Sequence, residues 1–174
     1  MEAGATDDAF DFEAFFYLHY DRIARVIVRV VRDPARAEEL AVEVFWKLWR
    51  NPAVQGAQSG GWIYRAAVRA ALDELRRQAR RARYERLLRL LPSSSTPEQA
   101  HAATEEQAQV RCVLANLKPR ESELLLLRGN DLTYEELASA LNLNPASVGT
   151  LVSRAQQAFR KEYIKQYGEP RYER

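Results

Sequence analysis

The sequence predicts an all-α protein of two small helical domains joined by a flexible linker, the second domain containing a helix-turn-helix. Apolar residues recur at the three- and four-residue spacing of amphipathic helices along most of the chain, and no stretch alternates like a strand. Between the two periodic regions, PSSSTPEQAHAATEEQ has the composition of a tether. We therefore expect a first domain at residues 1–91, a linker at 92–106 and a second domain at 107–174.

Composition indicates a soluble, intracellular protein. Of the 174 residues, 47% are hydrophobic, which is typical of a globular chain, and no apolar run approaches the roughly 20 residues of a membrane span. The single cysteine, Cys112, excludes an intramolecular disulfide, and its apolar neighbours predict burial rather than reactivity. His19 and His101 are too few to complete a structural zinc site with it. No metal, cofactor or membrane partner is expected.

The first predicted helix covers residues 11–32, and the second covers about 34–50. His19 lies on the apolar face of the first and is expected to be a hydrogen-bonded boundary residue rather than a ligand. Pro34 disfavours helix at Asp33 and is well placed to begin the next helix. Opposite its apolar stripe, the second helix presents Glu39, Glu43, Trp46 and Lys47. This side is either a docking patch for a basic partner or a place where Trp46 packs under a neighbouring helix.

A long basic helix follows the loop QGAQSGG at residues 55–61, with Ser59 as its candidate cap, and is predicted to extend to Leu91 before Pro92. Residues 76–89 hold seven arginines and one acid, although the net charge of the whole chain is only +2. Aromatic residues at the helix start and guanidinium groups further on suit contact with a nucleic-acid backbone and unstacked bases. A solvated surface face is the alternative interpretation.

In the second half of the chain, the sequence pattern predicts four helices. Three lie at about 105–117, 120–128 and 134–141, and the fourth is a long helix after residue 144. Thr133 and Glu136 form a capping box, and Asn144 caps the last helix with Pro145 at its first position. In YEELASALNLNPASVGTLVSRA, Ala138 is small where two helices cross, and Asn142 suits a left-handed turn. These features predict a DNA-binding helix-turn-helix, with a hairpin used only for packing as the alternative.

Two blocks of the chain together resemble a known family. DPARAEELAVEVFWKLW and WIYRAAVRAALDELRRQARR are similar to region two of the extracytoplasmic-function sigma factors of bacterial RNA polymerase, in the sigma-70 family. LKPRESELLLLRGNDLTYEELASALNLNPASVGTLVSRAQQAF resembles their region four. The resemblance implies a nucleoid-associated cytoplasmic protein without an active site of its own. Its implied partners are core polymerase, at the β′ clamp helices and β flap, and promoter DNA. The family commonly uses anti-sigma inhibitors, although nothing in the sequence identifies one.

In that family the long basic helix binds the −10 promoter element and the second helix docks on the polymerase clamp, which suits Glu39, Glu43, Trp46 and Lys47. Trp62 and Tyr64 are candidate walls or wedges for an extruded base, and the arginines are candidate phosphate contacts. Asp73 either orients an arginine, accepts from a base, or pairs within the helix with Arg69 or Arg77. The expected −10 contacts are Trp62, Tyr64, Arg65, Arg69, Asp73, Arg76, Arg77 and Arg80.

The helix-turn-helix is expected to bind the −35 element although it carries little positive charge. Only Arg154 is basic before Arg160, so this domain should bind DNA weakly alone. Gly149-Thr150-Leu151 stands where the family often has a Lys-Ser-Arg-like run, Arg69 where it usually has Asn, and Val42 where Gln is common. The expected contacts are Asn144, Ala146, Ser147, Gly149, Thr150, Ser153, Arg154 and Gln157.

Two other functions fit parts of this pattern. A stand-alone helix-turn-helix regulator would dimerise through its first domain and bind a palindromic operator without polymerase. A sigma-like protein-interaction module would sequester a partner, and the nearly neutral recognition helix favours it. An enzyme is not expected, because no nucleophile–base set, phosphate loop or metal cluster is evident in the sequence.

Overall fold

The computed structural model describes residues 10–89 and 102–169, and this part of the chain is all-α. Seven α-helices are present in these ranges, together with a short 3₁₀ helix at Pro52–Val54. The α-helices are α1 (Phe12–Val31), α2 (Pro34–Trp49), α3 (Ser59–Arg89), α4 (Ala102–Asn116), α5 (Pro119–Arg128), α6 (Tyr134–Leu141) and α7 (Pro145–Tyr167). No helix in the described ranges is both long and apolar enough to cross a membrane.

Helices α1, α2 and α3 pack together as a first bundle. Asp11 and Asp33 cap α1 and α2: their side chains accept hydrogen bonds from the backbone N–H groups of Ala14 and Arg36, at 2.9 and 3.0 Å. Phe45 is fully buried at the centre, with its ring centroid 4.8 Å from that of Phe16. The predicted apolar stripes of α1 and α2 therefore face one core, as expected for amphipathic helices.

Helices α4 to α7 form a second bundle, and its predicted signals for helix ends are confirmed. Thr133 and Glu136 make both hydrogen bonds of the capping box, at 3.2 and 2.7 Å. Asn142 adopts the left-handed conformation with φ 51°, and the side chain of Asn144 accepts from the N–H of Ala146 at 3.0 Å. The helix-turn-helix therefore has the local geometry that its sequence predicts.

Three local predictions need correction. Ser59 does not cap α3: it is the first residue of that helix, and its hydroxyl donates to the carbonyl of Gly56 at 2.6 Å. Helix α4 begins at Ala102, so residues 102–106, which were assigned to the linker, are helical, while the rest of that linker lies outside the described residues. Cys112 is only half-buried, because it lies at the edge of the contact between α4 and α7, with Sγ 3.5 Å from Gln166 Oε1. Leu91 and His101 also lie outside the described residues.

His19 is held by ring packing instead of the expected hydrogen bond. Its ring centroid lies 4.2 Å from that of Phe15, and its buried Nδ1 has no hydrogen-bond partner among the described residues. Burial, followed by the nearby charge of Arg22, lowers the pKa of His19 below its ordinary value of 6.5. The folded protein therefore favours the neutral imidazole.

We expect His19 to make the protein less stable as the pH falls from 7 to 5. The unfolded imidazole, with its ordinary pKa of 6.5, binds a proton more readily than the folded one, so its contribution is fully present above pH 6.5 and is lost below it. Urea unfolding at both pH values should show a smaller loss of stability for His19→Phe, which keeps a ring against Phe15. All other groups titrate in both proteins, so an equal pH dependence would contradict this role.

Candidate nucleic-acid and polymerase interfaces

The outer side of α2 is exposed as the sequence predicts. Glu39, Glu43, Trp46 and Lys47 are all exposed. Trp46 keeps 52% of its surface accessible and is not covered by a neighbouring helix. The guanidinium carbon of Arg50 lies 4.5 Å from its ring centroid, a cation–π contact that holds the indole against the surface of α2. Of the two interpretations of Trp46, the structure favours the exposed patch.

Sequence reasoning missed two apolar members of this patch. Val42 and Trp49 are exposed, at 53% and 57%, and lie four residues before and three residues after Trp46. That spacing places all three on one side of the helix, and it was visible in the sequence as a second apolar stripe. We call the exposed side chains of Glu39, Val42, Glu43, Trp46, Lys47 and Trp49 the α2 patch. Contiguous exposed apolar surface rimmed by charges is typical of protein interaction sites.

The acids of the α2 patch are oriented by Arg36. Its Nη1 lies 2.7 Å from Glu39 and 3.7 Å from Glu43, and its Nε lies 3.1 Å from Glu74 on α3. The hydrogen bonds to Glu39 and then to Glu74 raise the pKa of Arg36, and the charge of Glu43 acts in the same direction. Because Arg36 reaches α3 as well, the α2 patch is joined to the basic helix by a chain of charges.

The two aromatic residues at the start of α3 are placed differently. Trp62 is partly buried against the core but also lines a cavity of about 460 Å³ with Arg65 and Asn142. Tyr64 is only 9% exposed, which differs from the expected role of wall or wedge for an extruded base. The guanidinium of Arg22 lies 5.5 Å from its ring centroid, and burial raises the pKa of the phenol. Tyr64 therefore anchors the helix start and does not offer its ring face to solvent.

Further along α3, the side chains of Asp73, Arg77 and Arg80 point outward. Arg77 and Arg80 are exposed, and Arg77 pairs with Glu74 at 3.1 Å. Asp73 is exposed and lies 3.8 Å from Arg76, so its partner within the helix is neither Arg69 nor Arg77, the two candidates that the sequence suggested. At this distance the pair contributes little to stability and leaves Asp73 available to other groups.

Three of the expected phosphate contacts face the second bundle. Arg69 Nε lies 2.7 Å from Glu123 Oε1 on α5, and Arg76 Nε donates to the carbonyl of Ala115 on α4 at 3.3 Å. Arg65 is half-buried beside them, and burial, followed by the charge of Arg69, lowers its pKa. The two bundles thus meet along the same side of α3 that the sequence assigns to DNA.

Helix α7, the predicted recognition helix, exposes most of the predicted set of residues. Val148, Val152 and Ala155 are buried. Ser147 and Gly149 are partly exposed, and the exposed members of the predicted set are Asn144, Ala146, Thr150, Ser153, Arg154 and Gln157. A residue that the sequence did not single out, Tyr134, is exposed beside this face, with Cε2 3.4 Å from the position of a Cβ at Gly149.

Comparisons with known proteins agree with this division of the chain. Residues 15–81 match the family model for sigma-70 region 2, and residues 107–158 match that for sigma-70, region 4. The chain is 31% identical to the ECF RNA polymerase sigma factor SigK of Mycolicibacterium vanbaalenii, covering 90% of this chain and 84% of that protein. It is 28% identical to the ECF sigma factor SigE of Mycolicibacterium smegmatis, covering 87% and 61% respectively.

The fold has a solved counterpart. The sigma factor RpoE of Bartonella quintana, crystallised with the anti-sigma factor NepR, superposes with a TM-score of 0.51 at 17% identity, covering 87% of this chain and 96% of that one. At this identity the likeness concerns the fold alone, and the sequence relatives carry the family. The chain belongs to the extracytoplasmic-function sigma factors of the sigma-70 family.

Proposed function

We propose that this sigma factor docks on core RNA polymerase through the α2 patch, reads the −10 promoter element with α3 and the −35 element with α7, and helps to open the −10 DNA. The exposed Val42, Trp46 and Trp49 beside two acids are the observation that supports it most directly. The protein acts in the cytoplasm and performs no bond chemistry of its own, since in this family the polymerase makes the RNA.

The α2 patch has the composition of a binding hot spot for a basic surface. Tryptophan side chains that become buried at an interface carry large shares of binding energy, while the surrounding charges select the partner. Glu39 and Glu43 supply negative charge, and Arg36 restricts their side chains to one side of the helix. A clamp surface rich in Arg and Lys would complement this arrangement.

Strand opening by α3 requires both positive charge for the phosphates and an aromatic surface on which an extruded base can stack. Extruding a base costs a few kcal/mol, which contacts to the opened strand must offset. Arg76 and Arg80 lie four residues apart, so their guanidinium groups can follow one strand of phosphates. Trp62 is the aromatic residue at this helix start that retains some exposure, so it replaces Tyr64 as the candidate stacking surface.

The weakly charged α7 is compatible with this function because the two DNA readers are connected. Once one element is bound, the other is held at a high effective concentration, so neither needs high affinity alone. The holoenzyme is therefore expected to bind a promoter that the free protein binds poorly.

Transcription in vitro tests the function as a whole. Core polymerase with this protein should give defined transcripts from the promoter upstream of its own coding sequence, and core polymerase alone should not. A gel shift of a palindromic operator by the free protein, with no stimulation of transcription, would instead identify a stand-alone regulator.

We expect Trp46→Ala to weaken binding to core polymerase by about 30-fold, corresponding to the roughly 2 kcal/mol of an interface hot spot. Competition binding with a fluorescent derivative of the protein measures this affinity. Tyr17→Ala removes another exposed aromatic side chain, on α1, and should leave the affinity unchanged. Equal effects of the two substitutions would contradict the α2 patch as the docking site.

Arg80→Ala in the holoenzyme should reduce heparin-resistant open complexes and lower the salt dependence of promoter binding by about one phosphate contact, a change in slope of about 0.7–0.9. Permanganate reactivity of the −10 thymines measures opening. Arg81 is the matched control, because it lies on a different side of α3 and already pairs with Glu85 at 3.0 Å. Arg81→Ala should have the smaller effect on both measurements. A larger effect of Arg81→Ala would contradict the placement of the phosphate contacts at Arg76 and Arg80.

Gly149→Lys should strengthen promoter binding by the holoenzyme, since it adds a cation at an uncharged position of α7. The new Cβ makes an ordinary contact with Tyr134 at 3.4 Å, so the side chain has room. We expect the slope of log affinity against log salt to steepen by about 0.9. Gly149→Ala shares the gain in helix propensity but not the charge, so it should leave the slope unchanged. A steeper slope for both variants would exclude a direct phosphate contact.

A further inference from the structure

Part of the side of α3 assigned to promoter DNA is covered by the second bundle: Arg65, Arg69 and Arg76 face it, whereas Arg77 and Arg80 stay exposed. Helix α3 packs against α4, α5 and α6. At its first turn, a Cβ on Gly61 would lie 3.2 Å from backbone atoms of Ala140 in α6, closer than ordinary van der Waals contact. Further along, Arg111 of α4 donates to Gln78 Oε1 at 2.7 Å and to the carbonyl of Val31 at 3.2 Å. The contact therefore extends from the start of α3 well past its middle.

One ion pair stands out within this contact. Arg69 Nε lies 2.7 Å from Glu123 Oε1, and Arg69 Nη2 lies 3.5 Å from Glu123 Oε2. The carboxylate side chain of Glu123 is only 5% exposed, whereas the side chain of Arg69 is 55% exposed. A buried carboxylate is costly unless a cation pairs with it, and Arg69 is the cation within ion-pair distance of Glu123 among the described residues.

Positive charge around this pair exceeds negative charge. Arg65 lies near enough for Arg69 to lower its pKa after the larger effect of burial, and the charges of Glu123 and Arg120 also act on it. Arg65 therefore shares this electrostatic neighbourhood with two further guanidinium groups, those of Arg69 and Arg120, and with the one carboxylate of Glu123. An arriving phosphate would find the same arginines attractive, so DNA and Glu123 compete for Arg69.

We propose that the described arrangement is a self-inhibited state, in which the second bundle excludes DNA from α3 and the Arg69–Glu123 pair is the latch that holds it closed. A DNA strand cannot follow all three of Arg65, Arg69 and Arg76 while α4, α5 and α6 pack on that side, because Arg65 and Arg76 are half-buried there and Arg69 is paired with Glu123. The partly exposed arginine keeps the latch weak enough for a partner that binds the open state to release it. The exclusion of DNA rests on the proposed role of α3, but closure by the latch does not.

Energy transfer between two dyes on the full-length chain tests closure. The dyes are attached at Tyr17→Cys on α1 and Arg160→Cys on α7, both exposed positions, in a Cys112→Ser background. We expect Glu123→Gln, which keeps the shape of the side chain, to shift the chain about tenfold towards the open state and to change the transfer efficiency. Gly61→Leu should open the chain by steric pressure alone. The exchange Arg69→Glu with Glu123→Arg should restore closure.

Binding of the free protein to a fluorescent single-stranded −10 oligonucleotide tests the inhibition. Glu123→Gln and Gly61→Leu should each raise the affinity about tenfold, in parallel with opening. Glu135→Gln removes an exposed acid of α6 and controls for the change in net charge. Circular dichroism and cooperative thermal unfolding establish that each variant is folded.

Two results would overturn the proposal. If folded Glu123→Gln and Gly61→Leu both transfer energy like the parent, the latch does not hold the chain closed. If the chain opens but binds the oligonucleotide no better, closure is not inhibitory, and α3 loses support as the DNA-binding element. Transcription by the parent holoenzyme is a separate measurement, so loss of the latch leaves the sigma-factor function itself intact.

Discussion

Helix α3 is shared by two helical bundles, and the rest of the structure depends on this sharing. One side of it buries Ile63, Ala67, Val68, Ala71 and Leu72 against the core of the first bundle. Another side carries the arginines that contact α4 and α5. The apolar side cannot be released without unfolding the first bundle, because it fills the core. The polar side can separate more readily, since beside the packing of Gly61 on Ala140 its contacts include ion pairs and hydrogen bonds that water or phosphates can replace.

Charge is distributed so that this separable side stays attractive to anions. Two buried acids each form an ion pair with an arginine of α3: Glu74 with Arg77 at 3.1 Å and Glu123 with Arg69 at 2.7 Å. Other arginines of the helix remain exposed, including Arg80 and Arg81. The same guanidinium chemistry therefore serves the fold, through buried carboxylates, and the proposed DNA contact, through exposed groups.

Several side chains had more than one plausible role in the sequence, and their contacts in the folded chain decided between these roles. Tyr64 has the ring of a stacking residue, but its position in the second turn of α3 places that ring beneath Arg22 of α1. His19 offers a hydrogen-bonding ring, yet the adjacent Phe15 and the bundle core leave its Nδ1 without a partner among the described residues. Ser59 matches a helix cap by residue type, but the carbonyl of Gly56 takes its hydroxyl. Packing decided the roles of Tyr64 and His19, and a local hydrogen bond decided that of Ser59.

The structural features that could be predicted from the sequence are local or periodic ones. The helix caps at Thr133 and Asn144, the left-handed turn at Asn142 and the apolar stripes depend on residues within about one or two helical turns of each other, so spacing alone predicts them. The tertiary structure alone decided which side of α3 meets the second bundle. Arg69 and Glu123 are 54 residues apart, and no periodicity relates two side chains at that separation. An arginine that the sequence marks as a departure from the family pattern and as a candidate phosphate contact is, in the folded chain, the partner of a buried carboxylate.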